Sequence, residues 1–279
     1  MVVNRNTRVL MVVLSVLFCL PGVALMADEV NLPASKDNTI YSEGALSNAV
    51  GDYLFGGETG IGDFRRSLIT FDIAAGLPAG VTIDEVQLSL NVSKVPDLDS
   101  HNFSLYRLTS DWGEGGSNAP GVEGGGTDAS TDDATWSHTF FPFNFWTTAG
   151  GDYLETASVT ALIGGLGAAI WPSTDALVAD VQQWLDQPDS NFGWILIGNE
   201  TAGGTAKRFD SRENPAVNLR PRLTIIFTLP ATGACCSMSG DCTDVQASVC
   251  EASGGVFKSE SSSCALIQEC PFFQDGFEN

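Results

Sequence analysis

Three tryptophans in predicted loops are the side chains of this 279-residue chain best suited to holding a ligand. They are Trp112, Trp136 and Trp146. The flat apolar face of a pyranose stacks on an indole ring, and the sugar hydroxyls need polar side chains around it. These positions predict a carbohydrate-binding surface. The alternative, which we favour for Trp136 and Trp146, is that they close one end of a hydrophobic core.

Basic residues concentrate in one short segment of an otherwise acidic chain. The segment contains Lys207, Arg208, Arg212, Arg220 and Arg222. Exposed charges act mainly within a Debye length of about 8 Å, so a local patch can attract uronate or sulfate groups despite an unfavourable total charge. Arginine also offers a two-pronged fork to a carboxylate. The structural alternative is a hairpin in which Asp210 and Glu213 pair with Arg208 and Arg212.

Acidic residues follow the glycine-rich stretch 113–126. Asp128, Asp132 and Asp133 carry hard oxygen ligands of the kind that Ca²⁺ prefers. Acidic runs are common in such a chain, and the EF-hand spacing is absent, so a solvated acidic loop is the interpretation we favour. Structural Ca²⁺ at these residues is the alternative, and it is the one cofactor that the sequence suggests.

Catalytic signatures are weak. His101 and His138 are the two histidines of the chain, and no motif pairs either of them with a nucleophile. Carboxylates are so numerous that no particular pair indicates a glycosidase, whose chemistry depends on a defined separation. We therefore expect a non-catalytic protein, with a polysaccharide lyase or hydrolase as the enzymatic alternative.

The net charge narrows the class of partner. The formal charge is −21 and the sequence pI is about 4.1. Such a surface repels nucleic acid at long range. We therefore expect no nucleic-acid partner.

The first 27 residues have the layout of a secretory signal. Arg5 and Arg8 precede an apolar run over residues 9–20, and small residues follow. The run is too short to span a bilayer. Cleavage after Ala27 would start the mature chain at Asp28, and residues 22–24 offer a second, earlier site. The sequence thus predicts a secreted or cell-surface protein without a transmembrane anchor.

Hydrophobic periodicity predicts the elements that must position these residues. Residues 86–93 alternate between apolar and polar side chains, residues 223–227 do the same, and turn residues separate several similar runs. One helix is expected between Ser173, as its cap, and Pro188. Its apolar stripe consists of Leu177, Val178, Val181, Trp184 and Leu185. A buried strand should follow at 193–198, which gives a jelly-roll-like antiparallel β-sandwich with one short helix.

These segments also carry a resemblance to a known family. The matching pieces are DNTIY (37–41), RRSLITFD (65–72), LPAGVTI (77–83), ATW (134–136), Trp146, GGD (150–152), DVQQWL (180–185), NFGW (191–194), FDSREN (209–214) and RPRL (220–223). In order and spacing, the segment 34–228 resembles the DNRLRE-domain family of bacterial secreted proteins. The resemblance implies a jelly-roll module related to carbohydrate-binding modules, with glycan binding in some members, acidic polysaccharide among them. Many members have no assigned role.

The composition changes near Pro230. Six cysteines follow within about 40 residues that offer too little apolar surface for an unaided core. They are Cys235, Cys236, Cys242, Cys250, Cys264 and Cys270. In an exported chain they predict three disulfides among fifteen possible connectivities. Zinc is a weaker alternative, since no histidine and no CxxC motif lies nearby.

The sequence thus predicts three parts. Residues 1–27 form a signal peptide, residues 28–230 a β-sandwich, and residues 231–279 a disulfide-rich tail. The function that we expect is carbohydrate binding or a surface interaction, without catalysis. A polysaccharide-degrading enzyme and a purely structural or adhesive surface protein are the alternatives.

Overall fold

The computed structural model describes residues 27–260, 262–267 and 270. Residues 1–26, which contain nearly all of the expected signal peptide, lie outside this part of the chain, so cleavage after Ala27 stays a prediction. The first strand begins at Ala27 itself. In the described residues, no helix combines the length and the apolar character needed to cross a membrane.

Strands account for most of the regular structure. They are β1 (Ala27–Tyr41), β2 (Leu46–Ser47), β3 (Tyr53–Glu58), β4 (Phe64–Phe71), β5 (Thr82–Lys94), β6 (His101–Arg107), β7 (Thr127–Asp128), β8 (His138–Phe140), β9 (Asn144–Phe145), β10 (Val159–Ile163), β11 (Gly167–Trp171), β12 (Trp194–Ile197), β13 (Lys207–Asp210), β14 (Arg222–Thr228), β15 (Gly233–Cys236), β16 (Cys242–Val245) and β17 (Val256–Phe257). The helices are α1 (Ile73–Gly76), α2 (Asp175–Asp186) and α3 (Ala247–Ala252). Helix α2 is the one that the sequence predicts in the sandwich. The sandwich also contains the four-residue α1, which was not predicted.

Two antiparallel sheets form the sandwich. In sheet A, β5 pairs with β11 on one side, and with β14 and then β13 on the other. The first part of β1 continues this sheet beyond β14, and β3 continues it beyond β13. Sheet B has the order β10, β6, β12, β4, followed by the second part of β1 and then β2 and β7. The prediction of an all-β antiparallel sandwich is confirmed.

Two strands cross from one sheet to the other. Strand β1 pairs with β14 up to Pro33 and with β4 from Ala34 onward. The register of the pairing with β4 shifts between Ala34 and Lys36. The strand β3 crosses between Gly56 and Gly57. Gly57 has φ of 110°, and a Cβ there would lie 3.0 Å from backbone atoms of the segment entering β13. Only glycine fits this corner without strain.

The main core lies between the two sheets. On β5 the four apolar residues of the alternating run, Val86, Leu88, Leu90 and Val92, are at most 3% exposed, whereas the polar residues between them face outward. Ile69, Phe71, Trp194 and Leu196 of sheet B belong to the same cluster. The period-two pattern therefore predicted correctly which face of β5 is buried.

Helix α2 completes this core. Leu177, Val181, Trp184 and Leu185 are buried, and the Trp184 and Trp194 rings meet edge-on with centroids 4.5 Å apart. The expected cap is wrong by one residue, because Thr174 Oγ1, and not Ser173, accepts the Leu177 N–H at 3.1 Å. Ser173 Oγ instead accepts the Val86 N–H.

A second apolar cluster covers the outer face of sheet B. Leu68 and Ile195 alternate with the main-core residues of their strands, so they point to the opposite face, and Ile40 of β1 packs with them. The long segment 108–158 lies over them and contributes Leu108, Trp112, Ala134 and Trp146. We call this segment the outer layer. The outward side chains on β5 of sheet A are polar, and we call that surface the open face.

The cysteine-rich tail has its own small sheet, in the order β16, β15, β17, with α3 beside it. The disulfides are Cys235–Cys250, Cys236–Cys270 and Cys242–Cys264. The prediction of three disulfides is confirmed, and the structure selects one of the fifteen connectivities that the spacing left open. None of the six sulfurs is thereby left to ligate zinc.

We expect reduction to unfold the tail and leave the sandwich intact. Each bridge should contribute on the order of 3 kcal/mol to a segment with so small an apolar core. Limited proteolysis after reduction should cut within residues 233–270 and leave a resistant fragment covering residues 28–230. Equal protease sensitivity of the oxidised and reduced tail would contradict this.

Candidate functional site

Two of the three candidate tryptophans are buried in the cluster beneath the outer layer. Trp112 is 0% exposed and its Nε1–H donates to the Phe192 carbonyl at 2.9 Å. Trp146 is 5% exposed and its Nε1–H donates to the Thr135 carbonyl at 2.9 Å. Neither ring offers a face on which a sugar could stack. We therefore leave both out of the candidate site, and the core interpretation of Trp146 agrees with its position.

Trp136 is half-buried at the edge of the same cluster. Its ring stacks on Phe64 with centroids 6.2 Å apart, and the Arg66 guanidinium lies 4.6 Å from its centroid. Arg66 in turn forms an ion pair with Glu200 at 2.7 Å. Neighbouring side chains thus occupy the surface around Trp136, which fits its role in closing the end of a core.

The five basic residues do not form one patch. Lys207 lies on the same side of β13 as the buried Phe209 and points into the protein, where its Nζ donates to the Asp99 carbonyl at 3.0 Å. It is 0% exposed, and this burial lowers the pKa of Lys207. Arg208 points outward, lies 3.6 Å from the centroid of the Tyr53 ring and donates from Nε to Ser93 Oγ.

The predicted ion pairs of the structural alternative are found only in part. Arg212 pairs with Glu213 at 2.9 Å, as expected, but its stronger contact is a two-pronged one with Glu114 at 2.9 and 2.7 Å. The expected partner of Arg208, Asp210, instead accepts from Asn91 Nδ2 at 2.6 Å and from Asn214 Nδ2 at 3.0 Å. Glu114 lies about a hundred residues away in sequence, so spacing could not reveal it.

Arg220 and Arg222 share a cleft of about 300 Å³ on the open face of sheet A. Arg220 is held in place because its Nε–H donates to the Asn214 carbonyl at 2.7 Å. Arg222 is exposed, and no carboxylate of the described residues forms an ion pair with it. The cleft is also lined by Gln87, Ser89, Leu90, Asn91, Ala168, Asn218, Leu219 and Thr224.

Strand register explains why these residues meet. Arg222 is paired with Ser89 and Thr224 with Gln87, so four outward side chains of adjacent strands stand side by side. Residues 211–221 connect β13 to β14 and leave the edge of β5; we call this segment the excursion. It supplies Asn218 and Arg220 to the cleft. The amides and hydroxyls of β5 were not among the predicted site residues, although their alternation with buried residues marked them as outward-facing.

The three aspartates proposed for Ca²⁺ do not share a site. Asp133 is 0% exposed, and its carboxylate accepts the N–H groups of Ser130 and Ser117 at 2.5 and 3.5 Å. Asp128 and Asp132 are exposed, and Asp132 has a left-handed backbone with φ of 67°. The interpretation as a solvated loop therefore agrees with the positions of Asp128 and Asp132 but is wrong for Asp133, which holds the loop together from inside. In the part of the chain that the structure describes, a different set of carboxylates comes together.

A cluster of three carboxylates lies where β1, the outer layer and the excursion meet. Asp37, Glu114 and Glu213 have oxygen atoms within 4.8 Å of one another, and Arg212 lies among them. Burial, with the charges of Glu213 and Glu114, raises the pKa of Asp37 well above its usual range. Burial likewise raises the pKa of Glu213. Sequence analysis missed this cluster, because its members are at least 77 residues apart in the chain.

The two histidines have structural contacts. His138 Nδ1 is 2.9 Å from Thr135 Oγ1, its ring packs against Phe145 with centroids 4.3 Å apart, and desolvation lowers the pKa of His138. His101 Nε2 lies 3.8 Å from Asp97 Oδ1. The two residues belong to different strands, β8 and β6.

Comparison with known proteins leaves the family open. No protein-family model matches this chain, and no curated protein matches it. The resemblance of residues 34–228 to DNRLRE domains therefore remains a prediction. Any functional argument has to start from the open face and the carboxylate cluster.

Proposed function

We propose that this protein is a secreted, non-catalytic module that binds an acidic polysaccharide on the open face of sheet A. The observation that carries the proposal is the cleft in which Arg220 and Arg222 stand beside the outward side chains of β5. The resemblance to DNRLRE domains points to the same class of ligand.

The chemistry of the cleft suits a uronate or a sulfated sugar. Two guanidinium groups can each present parallel N–H donors to a carboxylate or sulfate. Gln87, Asn91 and Asn218 add amide donors and acceptors for sugar hydroxyls, and Ser89 and Thr224 add hydroxyls. The cleft lies on a sheet surface rather than in a closed cavity, which suits a chain-like ligand.

Local charge makes this binding compatible with a strongly acidic protein. The total charge of −21 repels polyanions at a distance. Within a Debye length of about 8 Å, however, the nearest charges dominate. Exposed Arg222 lacks an ion-pair partner in the part of the chain that the structure describes, so it does not have to break a contact before it binds a ligand.

Two other functions would give different results with the same polysaccharide. A lyase or hydrolase would release unsaturated uronate products or new reducing ends from the polysaccharide. A purely structural or adhesive module would show no retention on any glycan. The proposed binder retains the polysaccharide without shortening it.

The arginine pair can be tested by substitution. Arg220→Ala combined with Arg222→Ala should weaken binding to polygalacturonate at least about tenfold, because about 1.4 kcal/mol is lost from two charge-assisted contacts. Affinity electrophoresis in gels that contain this polymer measures the change. Retention of the wild-type protein should fall as salt is raised. A neutral glucan should retain neither protein.

Lys258→Ala is the matched control, since it removes one exposed positive charge from the cysteine-rich tail. Its retention should equal that of the wild type. Arg222→Gln alone serves as a second variant, because it removes the charge of an exposed side chain without disturbing the Arg220 contact to Asn214. Unchanged retention of both arginine variants, or absence of retention of the wild type at low salt, would rule out the proposed site.

A further inference from the structure

The carboxylate cluster has more negative charge than its protein contacts balance. Both oxygens of Glu114 have donors: Oε1 accepts from the Asp37 N–H at 2.6 Å and from Arg212 Nε at 2.9 Å, and Oε2 accepts from Arg212 Nη2 at 2.7 Å. Asp37 Oδ2 accepts the Arg212 N–H at 2.8 Å. Glu213 Oε1 lies 2.9 Å from Arg212 Nε. The Arg212 guanidinium thus serves two of the three carboxylates, and Asp37 accepts only the Arg212 backbone N–H.

Two oxygens of the cluster have no donor. Asp37 Oδ1 and Glu213 Oε2 are buried atoms with no hydrogen-bond partner among the described residues. The Asp37 side chain is only 1% exposed, so bulk solvent does not reach this oxygen. Leaving a buried carboxylate oxygen unpaired costs several kcal/mol unless a charge or a proton compensates it.

We propose that Asp37, Glu213 and Glu114 form a Ca²⁺ site. Three carboxylates and one guanidinium leave a formal charge of −2, which one divalent cation neutralises. The two unpaired oxygens supply the first ligands, and the cation takes the place of the donors that they lack. Arg212 keeps its contacts with Glu114 and orients that carboxylate at the edge of the site.

The donor set favours Ca²⁺ over other common cations. Every candidate ligand atom is a hard oxygen, and the cluster contains no histidine or cysteine, the ligands that Zn²⁺ prefers. Mg²⁺ demands a regular octahedron, whereas Ca²⁺ accepts irregular sites and completes its shell with water. The side chains of Glu114 and Glu213 remain 12% and 20% exposed, which leaves room for such waters.

The position of the site gives the cation a structural role. Asp37 lies on β1, Glu114 in the outer layer and Glu213 in the excursion that follows β13. A bound Ca²⁺ would tie these three segments together. The site is separate from the arginine cleft, and the proposal does not depend on glycan binding.

Calorimetric titration of chelator-treated protein with CaCl₂ tests the site directly. We expect one site per chain with a dissociation constant of about 10⁻⁴–10⁻³ M, the range of extracellular calcium modules, and a melting temperature that rises with Ca²⁺. Titration with MgCl₂ should show binding at least about tenfold weaker.

Asp37→Asn and Glu213→Gln should each weaken Ca²⁺ binding at least about tenfold, because a charged ligand becomes a neutral amide. Glu213 is partly exposed, so its variant keeps the test valid if the Asp37 variant fails to fold. Asp128→Asn, in the acidic loop, is the control and should bind like the wild type. No heat and no thermal shift at ~10 mM CaCl₂ would overturn the proposal, since this is at least about tenfold above the expected range. Unaltered binding by Glu213→Gln would also overturn it.

Discussion

Replacement of Trp194 by alanine is expected to lower the free energy of unfolding by about 3–5 kcal/mol, the usual cost of deleting a buried aromatic ring. Trp194 is 0% exposed at the start of β12, a central strand of sheet B. Its ring packs edge-on against Trp184 of α2 and at a tilt against Phe71. The cavity would therefore open where α2 packs against β4 and β12. Equilibrium unfolding in urea measures the loss.

Phenylalanine substitutions separate packing from hydrogen bonding at this contact. Trp194 Nε1–H donates to Asp180 Oδ2 at 2.9 Å, whereas Trp184 Nε1 has no hydrogen-bond partner in the described residues. Both changes remove the same atoms from the core. Trp194→Phe should therefore cost about 1–3 kcal/mol more than Trp184→Phe, the cost of a lost bond to a buried carboxylate. Equal losses would show that the Asp180 contact contributes nothing.

Arg212→Ala is expected to destabilise the fold by about 3 kcal/mol when measured in the presence of a chelator. Among the described residues, Arg212 is the one cation that forms an ion pair with Glu114, and it also pairs with Glu213. Its removal leaves three carboxylates, one of them fully buried, with no compensating charge. Arg212→Lys should recover only part of the loss, because lysine cannot form the two-pronged contact with Glu114.

Arg222→Ala is the matched control for this loss. It removes the same side chain from an exposed position on β14 that lacks an ion pair in residues 27–260, 262–267 and 270. Its effect on the free energy of unfolding should stay within about 0.5 kcal/mol. The cluster would lose its structural importance if the two alanine variants had the same stability.

The fold was predictable because short-range sequence patterns determine its strands and its main helix. Alternation along β5 and β14 identified the faces that meet in the core, and the spacing of Trp184 with its neighbours identified α2. The position of the helix cap was not predictable to the residue. Ser173 and Thr174 both carry a hydroxyl, and only the tertiary contact of Ser173 with the Val86 N–H decides which one caps the helix.

The site was less predictable because it depends on contacts between distant segments. Trp112 lies in a long irregular segment, and no periodicity shows that this segment folds back over sheet B. Nor does spacing show that Glu114 reaches Arg212. One error had a visible signal: Lys207 is two positions before the buried Phe209, so it shares the inward face of its strand.

Arginine footprinting tests the central claim, binding of an acidic polysaccharide at the open face, most directly. The protein would be treated with an arginine-specific dicarbonyl reagent, with and without a saturating oligogalacturonate, and modification would be quantified at each residue by mass spectrometry. Arg222 is exposed and Arg220 half-buried in the cleft, so both should react when free and be protected by the ligand. Arg212 should react equally in both samples. Unchanged modification of Arg220 and Arg222 at saturation would contradict the proposed binding site.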